Sequence, residues 1–85
     1  MIKEAKYIKD YQLKVIFMDG KEKIIDLYFF MSESNHPLIR KYLDIDLFKK
    51  FIIDCGTICW GDNEFDINPM KVYQGVYDLK KETVH

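Results

Sequence analysis

The Asp19-Gly20 step, set between two runs that alternate apolar and polar residues, constrains this chain more than any other feature. Before it, Gln12 to Met18 puts Leu13, Val15 and Phe17 on one face of a strand and Gln12 and Lys14 on the other. After it, Glu22 to Phe30 puts Ile25, Leu27 and Phe29 on one face and Asp26 on the other. Alternation with period two marks a half-buried strand, and Asp-Gly between two such runs is a strong hairpin signal. Parity then restricts the loop. A two-residue turn at Asp19-Gly20 pairs Leu13 with Asp26 and Val15 with Ile24, which buries a carboxylate in the apolar face. An odd-numbered loop, such as Asp19-Gly20-Lys21, pairs Leu13 with Leu27 and Val15 with Ile25. The expectation is therefore a loop of three or five residues with Gly20 at positive φ.

The second face of this hairpin is not fully polar, because Ile16, Ile24 and Tyr28 point there. Something must cover those side chains, either another part of the chain or another chain. Two short helices can cover one face of a small sheet but not both, so the expectation is a homodimer whose interface includes Ile16, Ile24 and Tyr28.

Elsewhere the signals are local. Ile2 to Tyr11 reads as a first strand with untidy alternation. Ser32 to Pro37 is a polar loop, and Leu38 to Leu43 forms a helical turn. Asp44 is the N-cap of a short helix, with Asp46 in its first turn and Leu47, Phe48 and Phe51 on one side. Ile52-Ile53-Asp54 and Thr57-Ile58-Cys59-Trp60 read as short strands joined around Cys55-Gly56, with a turn at Gly61-Asp62-Asn63-Glu64. The last helix has the strongest start signal: Asn68 as N-cap, Pro69 at the first helical position and an Ile67–Val72 staple, with Met70, Tyr73 and Tyr77 following at helical spacing. Trp60 is expected to be buried between the sheet and this helix. The fold class predicted is α+β: an antiparallel β-meander of about five strands with two short helices. It forms a single domain over residues 1–79, with 80–85 as a frayed tail.

Composition excludes several classes. Apolar residues are 48% of the 85, and six Phe, six Tyr and one Trp supply the dense core that so short a chain needs. Thirteen Lys/Arg against fourteen Asp/Glu leave a net charge of −1, which gives no pull towards nucleic acid or anionic lipid. Six lysines among residues 1–25 (Lys3, Lys6, Lys9, Lys14, Lys21 and Lys23) are diluted by Glu4, Asp10, Asp19 and Glu22, so no direct nucleic-acid binding is expected. No apolar run approaches the ~20 residues of a membrane span, and the start lacks a signal-peptide block. The expected compartment is the cytoplasm, with Cys55 and Cys59 as free thiols and no membrane partner.

Chemistry is sparse. Cys55 and Cys59 lack the usual two-residue spacing of a zinc or redox pair, and His36 and His85 are the only further soft ligands. His36 reads as a solvated loop histidine. Asp62, Glu64 and Asp66 alternate but lack the glycine and terminal glutamate of a calcium loop. Phosphate loops, nucleophile elbows and paired catalytic carboxylates do not occur. No cofactor, metal or catalytic residue is expected, and the chain reads as a non-enzyme.

The ordered set Tyr11-Gln12-Leu13, Phe17-Met18-Asp19-Gly20, Asp26-Leu27, Leu47-Phe48, Gly56-Thr57-Ile58-Cys59-Trp60 and Asp66-Ile67-Asn68-Pro69 through Tyr73 resembles the bacterial family called domain of unknown function 2442, over residues 2–74. The resemblance sharpens the fold more than the function. Some members of the family carry a C-terminal helix-turn-helix, but the twelve residues after Tyr73 leave no room for two helices. Others are small single domains encoded beside a second small protein. The resemblance thus implies a protein-interaction module, the antitoxin-like or accessory member of a two-gene bacterial pair, with the adjacent gene's small product as partner. Two alternatives stay open: a nucleic-acid-associated regulator acting through a partner, and a small metal-binding protein. Gly20, Trp60, Asn68 and Pro69 are assigned structural roles.

Overall fold

The hairpin that organises the chain turns through Met18-Asp19-Gly20. Phe17 N–H donates to Lys21 O at 2.8 Å and Gly20 N–H to Phe17 O at 2.9 Å, which closes a three-residue loop. Gly20 sits at φ +89°, and the Asp19 carboxylate accepts from Lys21 N–H at 2.9 Å. The odd loop and the glycine conformation match the parity argument. The register differs by one two-residue step: Leu13 pairs with Ile25, not Leu27, and Val15 with Lys23. Both registers keep every apolar side chain on its own face, so parity alone could not choose between them.

The computed structural model describes residues 1–62 and 64–79; the frayed tail expected over 80–85 lies outside them. The first sheet has the order β1 (Ile2–Tyr7), β2 (Gln12–Phe17), β3 (Glu22–Asp26), and the second has the order β4 (Ile52–Asp54), β5 (Thr57–Trp60), β6 (Phe65–Ile67). All pairings are antiparallel. Between the sheets the chain forms α1 (Tyr28–Ser32), α2 (Pro37–Arg40), a 3-10 turn (Lys41–Leu43) and α3 (Ile45–Phe48), and α4 (Pro69–Tyr73) follows β6. The class is α+β, as expected. Among the described residues, six strands in two sheets replace the single meander of about five, and four short helices with a 3-10 turn replace two helices.

Two corrections explain the difference. The strand expected to run to Phe30 stops at Asp26, whose carboxylate accepts from Tyr28 N–H at 2.9 Å and bends the chain into α1. Leu27 and Met31, four apart and both fully buried, then share one helical face. The first strand ends at Tyr7, not Tyr11, in a turn where Asp10 takes φ +51°.

The caps follow the sequence. Asp44 accepts from Asp46 N–H at 3.0 Å and Asn68 from Met70 N–H at 2.8 Å, with Pro69 at the first helical position. Val72, not Met70 or Tyr73, is the buried residue of α4; Met70 is 62% exposed.

One core joins both sheets: Leu13, Val15, Phe17, Ile25 and Leu27 from the hairpin meet Phe48, Ile58, Trp60, Phe65, Ile67 and Val72. Trp60 is fully buried, as expected, in the same core as Val72 of α4. Its ring stacks on Phe65 at 4.7 Å and on Phe48 at 5.5 Å, and its Nε1–H donates to Phe48 O at 2.8 Å. Ile2 N–H donating to Gly56 O at 3.0 Å ties the start of β1 to the β4–β5 turn.

Candidate functional site

The apolar face of the first sheet is consumed by the core, so its opposite face is what the molecule offers outward. At the centre of that face, register places Lys14 across from Ile24 and Ile16 across from Glu22. Lys14 Nζ lies 3.1 Å from Glu22 Oε1. The four side chains form a two-by-two block, with the two isoleucines on one diagonal and the ion pair on the other. Ile16 is half-buried by its neighbours, while Ile24 is 44% exposed and lines shallow grooves with Lys14, Glu22 and Lys23. On the β1 side the face continues with Glu4 across from Ile16 and Lys6 across from Lys14.

The edge of this sheet is partly closed. Asp26 N–H donates to Tyr77 O and Leu79 N–H to Ile24 O, both at 2.9 Å, so residues 77–79 run antiparallel along β3 through a single bridge between Asp78 and Ile25. The ion pair between Lys23 Nζ and Asp78, at 3.1 Å, holds that segment in place. A covered edge resists strand addition, so on the β3 side the face is more accessible than the edge.

Of the three residues expected at an interface, the structure therefore brings together Ile16 and Ile24. Tyr28 belongs to helix α1, not to the strand, and its ring meets Tyr11 at 5.5 Å in a separate groove with Asp10 and Asp26. Gly20, Trp60, Asn68 and Pro69 occupy the turn, core and cap positions described above.

The chemically reactive side chains are scattered. Cys55 is exposed on the β4–β5 turn; Cys59 is half-buried, its Sγ–H donates to Thr57 O at 3.3 Å, and burial pushes its thiol pKa up. His36 caps α2, its Nδ1 accepting from Leu38 N–H at 3.3 Å, a role that its position just before Pro37 could have indicated. Glu64 accepts from Tyr42 Oη–H at 2.6 Å and from Lys41 Nζ at 2.9 Å. Among the described residues, no three His, Cys, Asp or Glu side chains gather closely enough to hold a metal ion. No helix among them is long and apolar enough to cross a membrane.

The ordered motifs identified in the sequence thus fall on β2, the hairpin loop, the end of β3, α3, β5, β6 and α4. A sequence model of the family described as protein of unknown function (DUF2442) matches residues 2–78. The chain belongs to this family. No curated protein and no solved structure matches it. For this DUF2442 chain the matched span contains the six strands and four helices of the described residues, so the open face of the first sheet is part of the family domain.

Proposed function

We propose that this DUF2442 chain is a non-enzymatic protein-interaction module that docks another protein chain through the open face of its first sheet. The observation that carries the proposal is the contrast between the two faces: Leu13, Val15, Phe17 and Ile25 are fully or almost fully buried, while Ile24 is 44% exposed beside Ile16. Burial of an isoleucine side chain contributes roughly 1.5–3 kcal/mol, so a partner that covers both gains a useful apolar anchor. The dispersed Cys, His and carboxylate side chains support the non-enzymatic reading, since a catalytic constellation needs them within mutual hydrogen-bond reach. Ion pairing of Lys14, Lys23 and Lys41 with Glu22, Asp78 and Glu64 supports a protein partner over a nucleic acid, because those cations are already neutralised.

The biological setting that suits such a module is the accessory or antitoxin-like member of a two-gene bacterial pair. Co-expression with the small protein of the adjacent gene tests it. Stoichiometric co-purification that Ile24→Lys abolishes is the expected result, and failure to bind at micromolar concentration would remove the two-gene setting.

A further inference from the structure

We infer that the occupant of the open face is a second copy of this chain, packed face to face with its strands crossing steeply over those of the first. The inference rests on the docking proposal above and adds to it the identity of the partner and the geometry of the contact. It follows from the arrangement of the four central side chains. Lys14 pairs across strands with Ile24 and Ile16 with Glu22, so the isoleucines share one diagonal and the opposite charges share the other.

Consider the two-fold axes that lie in the plane of this face. An axis along the strands sets Lys14 against Ile24 of the second copy, and an axis across the strands sets Lys14 against its Ile16. Each buries charge against a hydrocarbon side chain. An axis along the Lys14–Glu22 diagonal sets lysine on lysine and glutamate on glutamate. Only the axis along the Ile16–Ile24 diagonal suits all four central side chains. It lays Ile16 on Ile16 and Ile24 on Ile24, and it brings Lys14 of each copy over Glu22 of the other. The result is a four-charge ring of alternating sign between two isoleucine pairs.

The geometry is accessible. Strands lie about 4.8 Å apart, and same-face residues follow at about 6.8 Å along a strand, twice the rise per residue. The diagonal therefore runs about 35° from the strands, and rotation about it crosses the two sheets at about 70°. That is closer to orthogonal packing than to aligned packing, the two ways in which sheets meet. A two-fold axis is also the commonest closed symmetry, and it requires a self-complementary patch of this kind. The closed β3 edge directs the second copy onto the face, because residues 77–79 already occupy the backbone groups at Ile24 and Asp26.

A charge-swap mixture tests the arrangement. Wild-type protein should sediment as two chains at high micromolar concentration. Lys14→Glu makes the charged diagonal all-acidic and Glu22→Lys makes it all-basic, so each variant alone should sediment as one chain. Mixed in equal amounts they should sediment as two chains, because the acidic diagonal of one variant then faces the basic diagonal of the other. Circular dichroism melts of both variants check that the fold persists, and Ile24→Ser gives a charge-neutral variant that should also sediment as one chain. A wild-type monomer, single variants that stay dimeric, or a mixture that stays monomeric would each overturn the inference. A wild-type monomer that still binds the adjacent gene's product through Ile24 would overturn the self-pairing alone and leave the docking proposal standing.

Discussion

Tyr42 and Glu64 close the loop between β5 and β6 onto the 3-10 turn: the phenol donates to Glu64 Oε1 at 2.6 Å, and Lys41 Nζ lies 2.9 Å from the same oxygen. Burial, and then the bond to the carboxylate, push the Tyr42 pKa up to about 12. The phenol and Lys41 hold the Glu64 pKa below its ordinary value of 4.5. A carboxylate with a depressed folded-state pKa adds stability that is complete above the unfolded value and fades as pH falls through the folded one. A phenol with a raised pKa adds stability that is complete below the unfolded value of 10 and fades as pH rises towards about 12. Denaturant midpoints measured across pH should therefore fall on both sides. In Tyr42→Phe the neutral-pH midpoint should drop and the change below pH 4.5 should shrink, because the largest cause of the Glu64 shift is gone. An unchanged acid profile in that variant would contradict the assignment.

The same contact makes Gly61 hard to replace. It sits at φ +66°, and a Cβ there would lie 2.6 Å from Tyr42 Oη and 2.7 Å from Glu64 Oε1. Glu64 can swing aside, but buried Tyr42 cannot, so the added methyl breaks their hydrogen bond as well as straining the backbone. Gly61→Ala should lose about 2 kcal/mol in chemical denaturation. A change within a few tenths of a kcal/mol would show that the loop relaxes freely.

Gly20 isolates the conformational effect alone, since a Cβ there meets nothing within 4 Å at φ +89°. Gly20→Val should destabilise by ~1 kcal/mol or more, and Gly20→Asn by less, because asparagine tolerates the left-handed region. Equal melting midpoints for Val and Asn would argue against a positive φ at this position.

Trp60 reports on the core. With its ring between Phe48 and Phe65 and its Nε1–H bonded to Phe48 O, its emission should be blue-shifted and resist a polar quencher. An emission maximum typical of hydrated indole would contradict the packing.

Local signals in the sequence proved the most legible. Asp44, Asn68-Pro69 and Gly20 each act on backbone groups within a few residues, so their chemistry is readable without the fold. The face assignments of Leu13, Val15, Phe17 and Ile25 followed from parity, and so did the outward placement of Ile16 and Ile24. What was hidden depends on distance or on competing propensities. Leu27 to Met31 is an apolar run that suits a strand or a buried helix equally, and the Asp26 carboxylate favours the helix by accepting from Tyr28 N–H, which removes Tyr28 from the sheet face. Strand β6 is three residues long, and the single alternation of Phe65-Asp66-Ile67 is too brief to mark a strand. The block on the open face needed the true register: pairing Leu13 with Leu27 would have set Lys14 against Asp26 and Ile16 against Ile24. The slip of two residues creates the Lys14–Glu22 diagonal.

The central claim, that the open sheet face docks another chain, is tested most directly by light scattering at high micromolar concentration, for the protein alone and mixed with the adjacent gene's product. The account predicts a mass of two or more chains for the wild-type protein and of one chain for Ile24→Lys in the same solutions. A single-chain mass for the wild-type protein under both conditions would contradict it.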